Sequence, residues 1–346
     1  MAARMRKRRM SEALWAELER DAASHGGPGT LKRRIASASA CPFFLGIRQP
    51  GLRRAFILHV PQGIAPLPEA LPQSRGFSYD VLIAGDEASP GELSVILSAS
   101  DGSYNDVFAA ICEDLIGKLS PLPTDRDTLR EFLNRVRLWQ IFFERQGGEG
   151  LSPEAQRGLY GELWFLTEFV LAERADEMAL SCWRTEARSQ HDFQFGVLSV
   201  EVKTSATRQH QTLTINGEQQ LDETLVDRLC LFYLSVAVVE NNPATLPALV
   251  DKIRIRLADS TAAQDRFTSM LLGRGYSDRQ WQLYERTGYT IRRYGILEIR
   301  DEFPRIRECD LRPGTGEVSY SIALDVASHY AVDEAQFRTE LRGLLS

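Results

Sequence analysis

The fifteen residues HDFQFGVLSVEVKTS, 191 to 205, constrain this chain most. Phe193, Phe195, Val197, Leu198, Val200 and Val202 alternate or cluster as in two short strands, and Gly196 supplies the turn between them. Side chains two apart on a strand point to the same face. Glu201 and Lys203 therefore share one face, and Val200, Val202 and Thr204 share the other. A strand partner ending at Asp192 can bring a second carboxylate beside Glu201. Two carboxylates and a lysine on adjacent strands suit Mg²⁺, a hard cation that prefers oxygen ligands. A lone Glu-x-Lys pair on a strand is more often a solvated face. Two features weigh against that reading here. The Asp stands on its own β-like segment, and Lys203 is one of only five lysines among 41 basic residues.

A helix is predicted just upstream, over residues 151 to 174. Ser152 is a good N-cap and Pro153 suits the first helical position. Leu159, Leu163, Leu166, Phe169 and Val170 fall on one helical face. Glu162 sits beside Gly158 and Gly161. Glycine inside a helix costs about 1 kcal/mol each relative to alanine, which suggests that a backbone approaches closely there. Glu162 reads equally as an acid aimed at the Asp–Glu–Lys strands or as an ordinary surface glutamate.

The blocks GLYGELWFL (158 to 166), HDF (191 to 193), VEVKTS (200 to 205), QLD (220 to 222) and FPRI (303 to 306) resemble the PD-(D/E)XK motif proteins. FFLGIR (43 to 48), VFAAICEDLI (107 to 116) and RLWQIFF (137 to 143) extend the resemblance through the first half. It implies a restriction-endonuclease-like, metal-dependent nuclease of bacterial defence clusters, acting in the cytoplasm on nucleic acid, with DNA as the expected substrate. Its implied companions are helicase-like, MutL-type or histidine-kinase-type ATPases and DNA methyltransferases. By motif match Asp192, Glu201 and Lys203 are the catalytic set, Glu162 is the helix acid and Gln220 the polar residue after the core strands. Asp192, Glu201, Glu162 and the Val202 carbonyl are the implied ligands of Mg²⁺, with Mn²⁺ as an alternative ion. Gln220 reads equally as a phosphate or water ligand and as a helix cap. His191 stands where the superfamily has its proline, a position that varies widely. The competing function is a catalytically inactive nuclease fold that binds nucleic acid or scaffolds an ATPase partner.

The fold class expected is α/β, α+β overall. Residues 1 to 29 read as a basic arm and short helix, and 30 to 148 as a β-rich domain closed by two helices. Residues 149 to 346 read as an αβββαβ nuclease core with further strands and a last helix. The β texture runs from Arg33 to Leu97, helices are expected over 101 to 117 and 124 to 145, and QGGEG at 146 to 150 reads as a linker. In the second half, strands are expected near Leu180 to Arg184, at the Asp and Glu-x-Lys segments, in QTLTING, over 229 to 240 and over 318 to 324. Gln219 and Gln220 are placed on a short helix, and helices are expected over 245 to 257 and 333 to 345.

The net charge of -6 argues against indiscriminate attraction to nucleic acid, so binding needs a locally basic face. MAARMRKRRM can touch phosphate, although a frayed solvated end is the commoner fate of such a run. Arg292 and Arg293 beside Tyr294 can also reach phosphate, against the commoner reading of a solvated strand edge. The first half carries no catalytic constellation and is a candidate partner-docking module. Five scattered cysteines with no CxxC pair support neither a zinc site nor a disulfide framework. No apolar run reaches the roughly 20 residues of a membrane span.

Overall fold

A computed structural model describes residues 2–25, 28–35, 39–64, 74, 76–83, 91–146, 150–185, 189–206, 212–224 and 226–346. The chain forms a mixed α+β structure that divides into two compact units, Met1–Gly150 and Leu151–Ser346. Among the described residues no helix is long and apolar enough to cross a membrane.

In the first unit, helix α1 (Ala2–His25) begins at Ala2 and so takes in the basic run expected to be an arm. Its face of Trp15, Leu18 and Ala22 is buried. Strands β1 (Gly29–Arg34), β2 (Phe43–Gln49), β3 (Arg53–Pro61), β4 (Phe77–Ile83) and β5 (Glu92–Ala99) form one antiparallel sheet in the order β1-β2-β3-β5-β4. Strand β1 begins at Gly29, ahead of Arg33, the expected start of the β texture. Helices α2 (Asn105–Leu119) and α3 (Asp125–Gln146) follow, and Trp139, Phe142 and Phe143 of α3 are buried. His59 is buried with Nδ1 3.7 Å from Glu92, and Asp80 pairs with Arg48, so neither is a candidate ligand. Asp86, Glu87 and the centre of the QGGEG linker lie outside the described residues.

The second unit opens with α4 (Pro153–Phe165), capped by the Ser152 side chain, which accepts from Ala155 N at 3.2 Å. The long helix expected to run on to residue 174 is interrupted by a π-turn over Leu166–Val170 before α5 (Leu171–Glu173). Two arginines stabilise this wider turn from outside. Arg256 donates to the Thr167 carbonyl, and Arg338 donates to the Glu168 carbonyl at 2.8 Å while lying over the Phe169 ring. Leu180 to Arg184 is not a strand. Asp176 caps a short helix α6 (Glu177–Ser181), accepting from Ala179 N at 3.0 Å, and only an isolated bridge joins Trp183 to Phe193.

Strands β6 (Phe193–Phe195) and β7 (Leu198–Ser205) pair antiparallel across Gly196, whose φ of +58° suits glycine in so tight a turn. The three-strand core expected from αβββαβ is not built in order. Strand β8 (Thr212–Asn216) leaves the sheet and pairs with β11 (Ser319–Ala323), more than a hundred residues on. The main sheet is instead β10-β9-β7-β6, with β9 (Arg228–Glu240) parallel to β7 and β10 (Thr287–Ile299) antiparallel at the edge. Leu213 and Ile215 alternate correctly for a strand, but alternation does not name a partner. Helices α7 (Leu246–Arg256) and α8 (Thr261–Gly273) precede β10, and α9 (Leu324–Ala327) and α10 (Glu334–Leu345) end the chain.

The sheet has two unlike faces. Leu198, Val200, Val202, Cys230, Phe232, Leu234 and Val236 join α4, α7, α8 and α10 in the larger apolar core. The opposite face carries Glu201 and Lys203 beside Leu229, Leu231 and Leu297, which pack with Leu213, Ile215, Ile322 and Leu324 of the β8–β11 segment. Burial thus matches the facing expected for β7.

Candidate active site

Helix α4 reaches β7 through Gly161. A Cβ built there would fall 1.8 Å from Thr204 Oγ1, so only glycine allows the approach. Gly158 has open space around it and makes no such contact. The close approach turns Glu162 inward, where it is buried rather than solvated. Its Oε2 accepts from the indole N–H of Trp183 at 2.9 Å and from the Arg274 guanidinium.

Asp192 precedes β6. Its backbone carbonyl accepts from Arg184 N at 2.7 Å, which fixes the segment, and its carboxylate faces two donors. Oδ2 accepts from Val202 N at 2.9 Å, and Oδ1 accepts from Arg274 at 2.6 Å. Arg274 therefore bridges Glu162 and Asp192, residues thirty apart in sequence. On β7, Glu201 Oε1 accepts from Lys203 Nζ at 2.7 Å, and both side chains are largely buried. Three carboxylates and two cations form one cluster, in which Asp192 acts electrostatically on Glu162 and on Glu201, and Glu162 acts on Glu201.

Burial and charge excess leave clear traces. Burial pushes the Glu201 carboxyl up to about 8, reinforced by Asp192 and opposed by Lys203. Burial likewise raises Glu162 to about 7, with Asp192 adding to the shift and Arg274 working against it. Burial also disfavours the Lys203 ammonium, but the Glu201, Asp192 and Glu162 carboxylates outweigh it and hold Lys203 above its ordinary value. The same balance keeps Arg274 charged. His191 is buried, and burial lowers its pKa; its Nε2 has no hydrogen-bond partner among the described residues.

Gln220 stands apart in its bonding. Residues 218 to 221 form a turn rather than the expected helix, and the Gln220 side-chain oxygen accepts from Asn216 N at 3.0 Å, closing the turn after β8. None of its hydrogen bonds among the described residues reaches the acidic cluster. Trp183 and Arg274 are the participants that sequence reasoning did not find. Arg274 was visible only as one of many C-terminal arginines. It sits at the C-cap of α8, between Gly273 and Gly275, and 112 residues separate it from Glu162.

The donor set suits a divalent cation in chemistry. Asp192, Glu201 and Glu162 offer oxygen donors in one largely buried cluster, and burial drives Glu162 and Glu201 toward protonation. Among the described residues, however, no three His, Cys, Asp or Glu side chains are gathered closely enough to hold an ion as they stand. The reason lies in the bonds. Arg274 occupies one oxygen each of Glu162 and Asp192, and Lys203 occupies Glu201 Oε1.

The family model described as "Putative PD-(D/E)XK family member, (DUF4420)" matches residues 11–325, and the chain belongs to that family. No curated protein and no solved structure matches it.

Proposed function

We propose that this protein is a metal-dependent nuclease that hydrolyses phosphodiesters, with DNA as the expected substrate. The observation that carries this reading is the convergence of Glu162, Asp192, Glu201 and Lys203 from four separate sequence positions into one buried charged cluster. Structural charges of this kind are costly to bury, and their retention is characteristic of functional sites. A divalent cation, Mg²⁺ or Mn²⁺, held by Asp192, Glu201, Glu162 and the Val202 carbonyl would neutralise charge developing on the phosphate. Lys203 then orients the attacking water or donates to a phosphate oxygen, a task suited to a compact ammonium on a flexible stem. Trp183 and the Val202 N–H hold Glu162 and Asp192 in place. The apolar residues of β6 and β7 exclude water and strengthen every charge interaction at the site.

The test is cleavage of plasmid and of linear single strands, with Mg²⁺ and with EDTA. Glu201→Ala should abolish Mg²⁺-dependent cleavage. Lys203→Arg keeps the charge but should lose two or more orders of magnitude, about 2.7 kcal/mol of transition-state stabilisation. Wild-type cleavage by the arginine variant would reduce Lys203 to a simple counter-charge.

One observation favours the second reading, a nuclease fold that binds or scaffolds without cleaving. Arg274 already satisfies two of the three acids, as a permanent structural cation would. In that case every variant would match a parent that cleaves nothing. The family resemblance also underlies the proposal that the protein acts in a bacterial defence system with ATPase and methyltransferase partners. The net charge of -6 fits a nuclease delivered to nucleic acid by such a partner. The free thiols fit a cytoplasmic location.

A further inference from the structure

The sheet face that carries Glu201 and Lys203 also borders a cavity of about 620 Å³, within the roughly 300–1,000 Å³ of small-ligand sites. Lys203 of β7 lies in register with Tyr233 of β9, and Tyr233 lies in register with Gly295 of β10. Neighbouring strands are about 4.8 Å apart, so the cavity floor begins one strand from the catalytic lysine.

Gly295 is needed for the shape of that floor. A Cβ at this position would fall 2.7 Å from both the Tyr233 ring and its hydroxyl, so the missing side chain is what lets the ring lie across β10. The guanidinium of Arg293 sits 5.7 Å from the centre of the same ring. Arg293 is exposed and has no carboxylate partner among the described residues, unlike Arg228, Arg305 and Arg338 nearby in the unit. Thr212 and Ser328 add hydroxyls to the wall. Asp325 adds a carboxylate, one oxygen of which accepts from Val326 N at 2.9 Å.

A half-buried aromatic face, an unpaired arginine and hydroxyls around a nucleotide-sized space are the elements that hold a single nucleotide. The ring stacks the base, and the guanidinium stacks or meets phosphate. A paired base has its faces covered by its neighbours in the helix, so a base that stacks on the protein here must be unpaired. We propose that the Tyr233–Arg293–Gly295 cavity receives one unpaired nucleotide of a single strand or flap and so presents the adjoining phosphate to Lys203. This rests on the nuclease reading above and narrows its substrate from nucleic acid in general to single-stranded segments.

The experiment measures binding in EDTA, so that chemistry plays no part. The full chain is titrated against a 5′-labelled twelve-residue oligodeoxythymidine and against the same strand in a blunt duplex, with fluorescence anisotropy as the readout. The single strand should bind at least tenfold more tightly than the duplex. Tyr233→Ala should weaken single-strand binding about tenfold, the size of one base–aromatic stack. Tyr233→Phe, which keeps the ring and guards against a folding artefact, should stay within about twofold of the parent. Arg293→Gln should weaken binding and lower its salt dependence. Equal affinity for strand and duplex, or a Tyr233→Ala protein that binds like the Tyr233→Phe one, overturns the proposal. The two readings fail separately. A parent without cleavage activity removes the nuclease reading and leaves these binding results standing, whereas unchanged binding by Tyr233→Ala removes the subsite and leaves cleavage untouched.

Discussion

Each unit of the protein buries an arginine against acid and indole, and the two arrangements serve different ends. In the first unit, Arg135 forks onto Asp114 with Nε at 2.8 Å and a terminal nitrogen at 2.7 Å, and Trp139 Nε1 adds a third bond at 3.0 Å. One cation meets one anion in matched geometry, the arrangement in which a buried pair is best compensated. In the second unit, Arg274 is divided between Glu162 and Asp192, Trp183 Nε1 bonds Glu162, and Glu201 with Lys203 stands in the same field. Here three acids face two bases, and burial, with the Asp192 charge adding to it, raises Glu162 and Glu201. The same three residue types therefore make a structural tie in one unit and an unbalanced, cation-seeking cluster in the other. The gathering of several acids and bases in one buried place, rather than a single matched pair, marks the candidate site.

The sharpest way to break this comparison is to unbalance the first unit. Asp114→Ala removes the carboxylate that the buried Arg135 forks onto, and stability should fall by about 3–5 kcal/mol. Urea unfolding followed by tryptophan fluorescence measures it. A loss within the noise would mean that Arg135 simply turns to water, and the tie would not be structural.

A smaller effect is expected from pH. In the unfolded chain Glu201 titrates near its ordinary 4.5, while in the folded protein it keeps its proton to about 8. Between these values the folded state binds more protons, so the stability from this group is complete below about pH 4.5 and is lost as pH rises through about 8. Glu162 acts in the same direction up to about 7. In EDTA the protein should lose stability from pH 5 to pH 8, by an amount on the order of one to a few kcal/mol. Glu201→Gln should flatten the slope. A slope that is unchanged in Glu201→Gln would show that this acid is not the source of it.

The smallest and most discriminating effect concerns Arg274. If its guanidinium stands in the place of a metal, Arg274→Gln should bind Mn²⁺ about tenfold more tightly than the parent, about 1.4 kcal/mol, by calorimetry. Unchanged or weaker binding would make Arg274 part of the scaffold that positions the acids, much as Arg135 is in the first unit.

The sequence alone determined what local physics determines. The alternation of residues 193 to 203 with a glycine at the turn gave the β6–β7 hairpin, and put Glu201 and Lys203 on one face. Ser152 and Pro153 gave the start of α4, and the cost of glycine in a helix pointed to a close approach, which Gly161 makes and Gly158 does not. Asp176 is a legible cap, and it sets a short helix where the apolar run around Leu180 reads as a strand. What only the tertiary structure decided are the partnerships between distant segments. Strand β8 chose β11 over the main sheet, Trp183 and Arg274 joined Glu162 across 21 and 112 residues, and Gln220 closed a turn instead of entering the cluster. Periodicity and capping act over a few residues and are written in neighbouring side chains. The pairing of a strand or a buried charge is settled by competition among every available partner, and the spacing of residues along the chain carries no record of it.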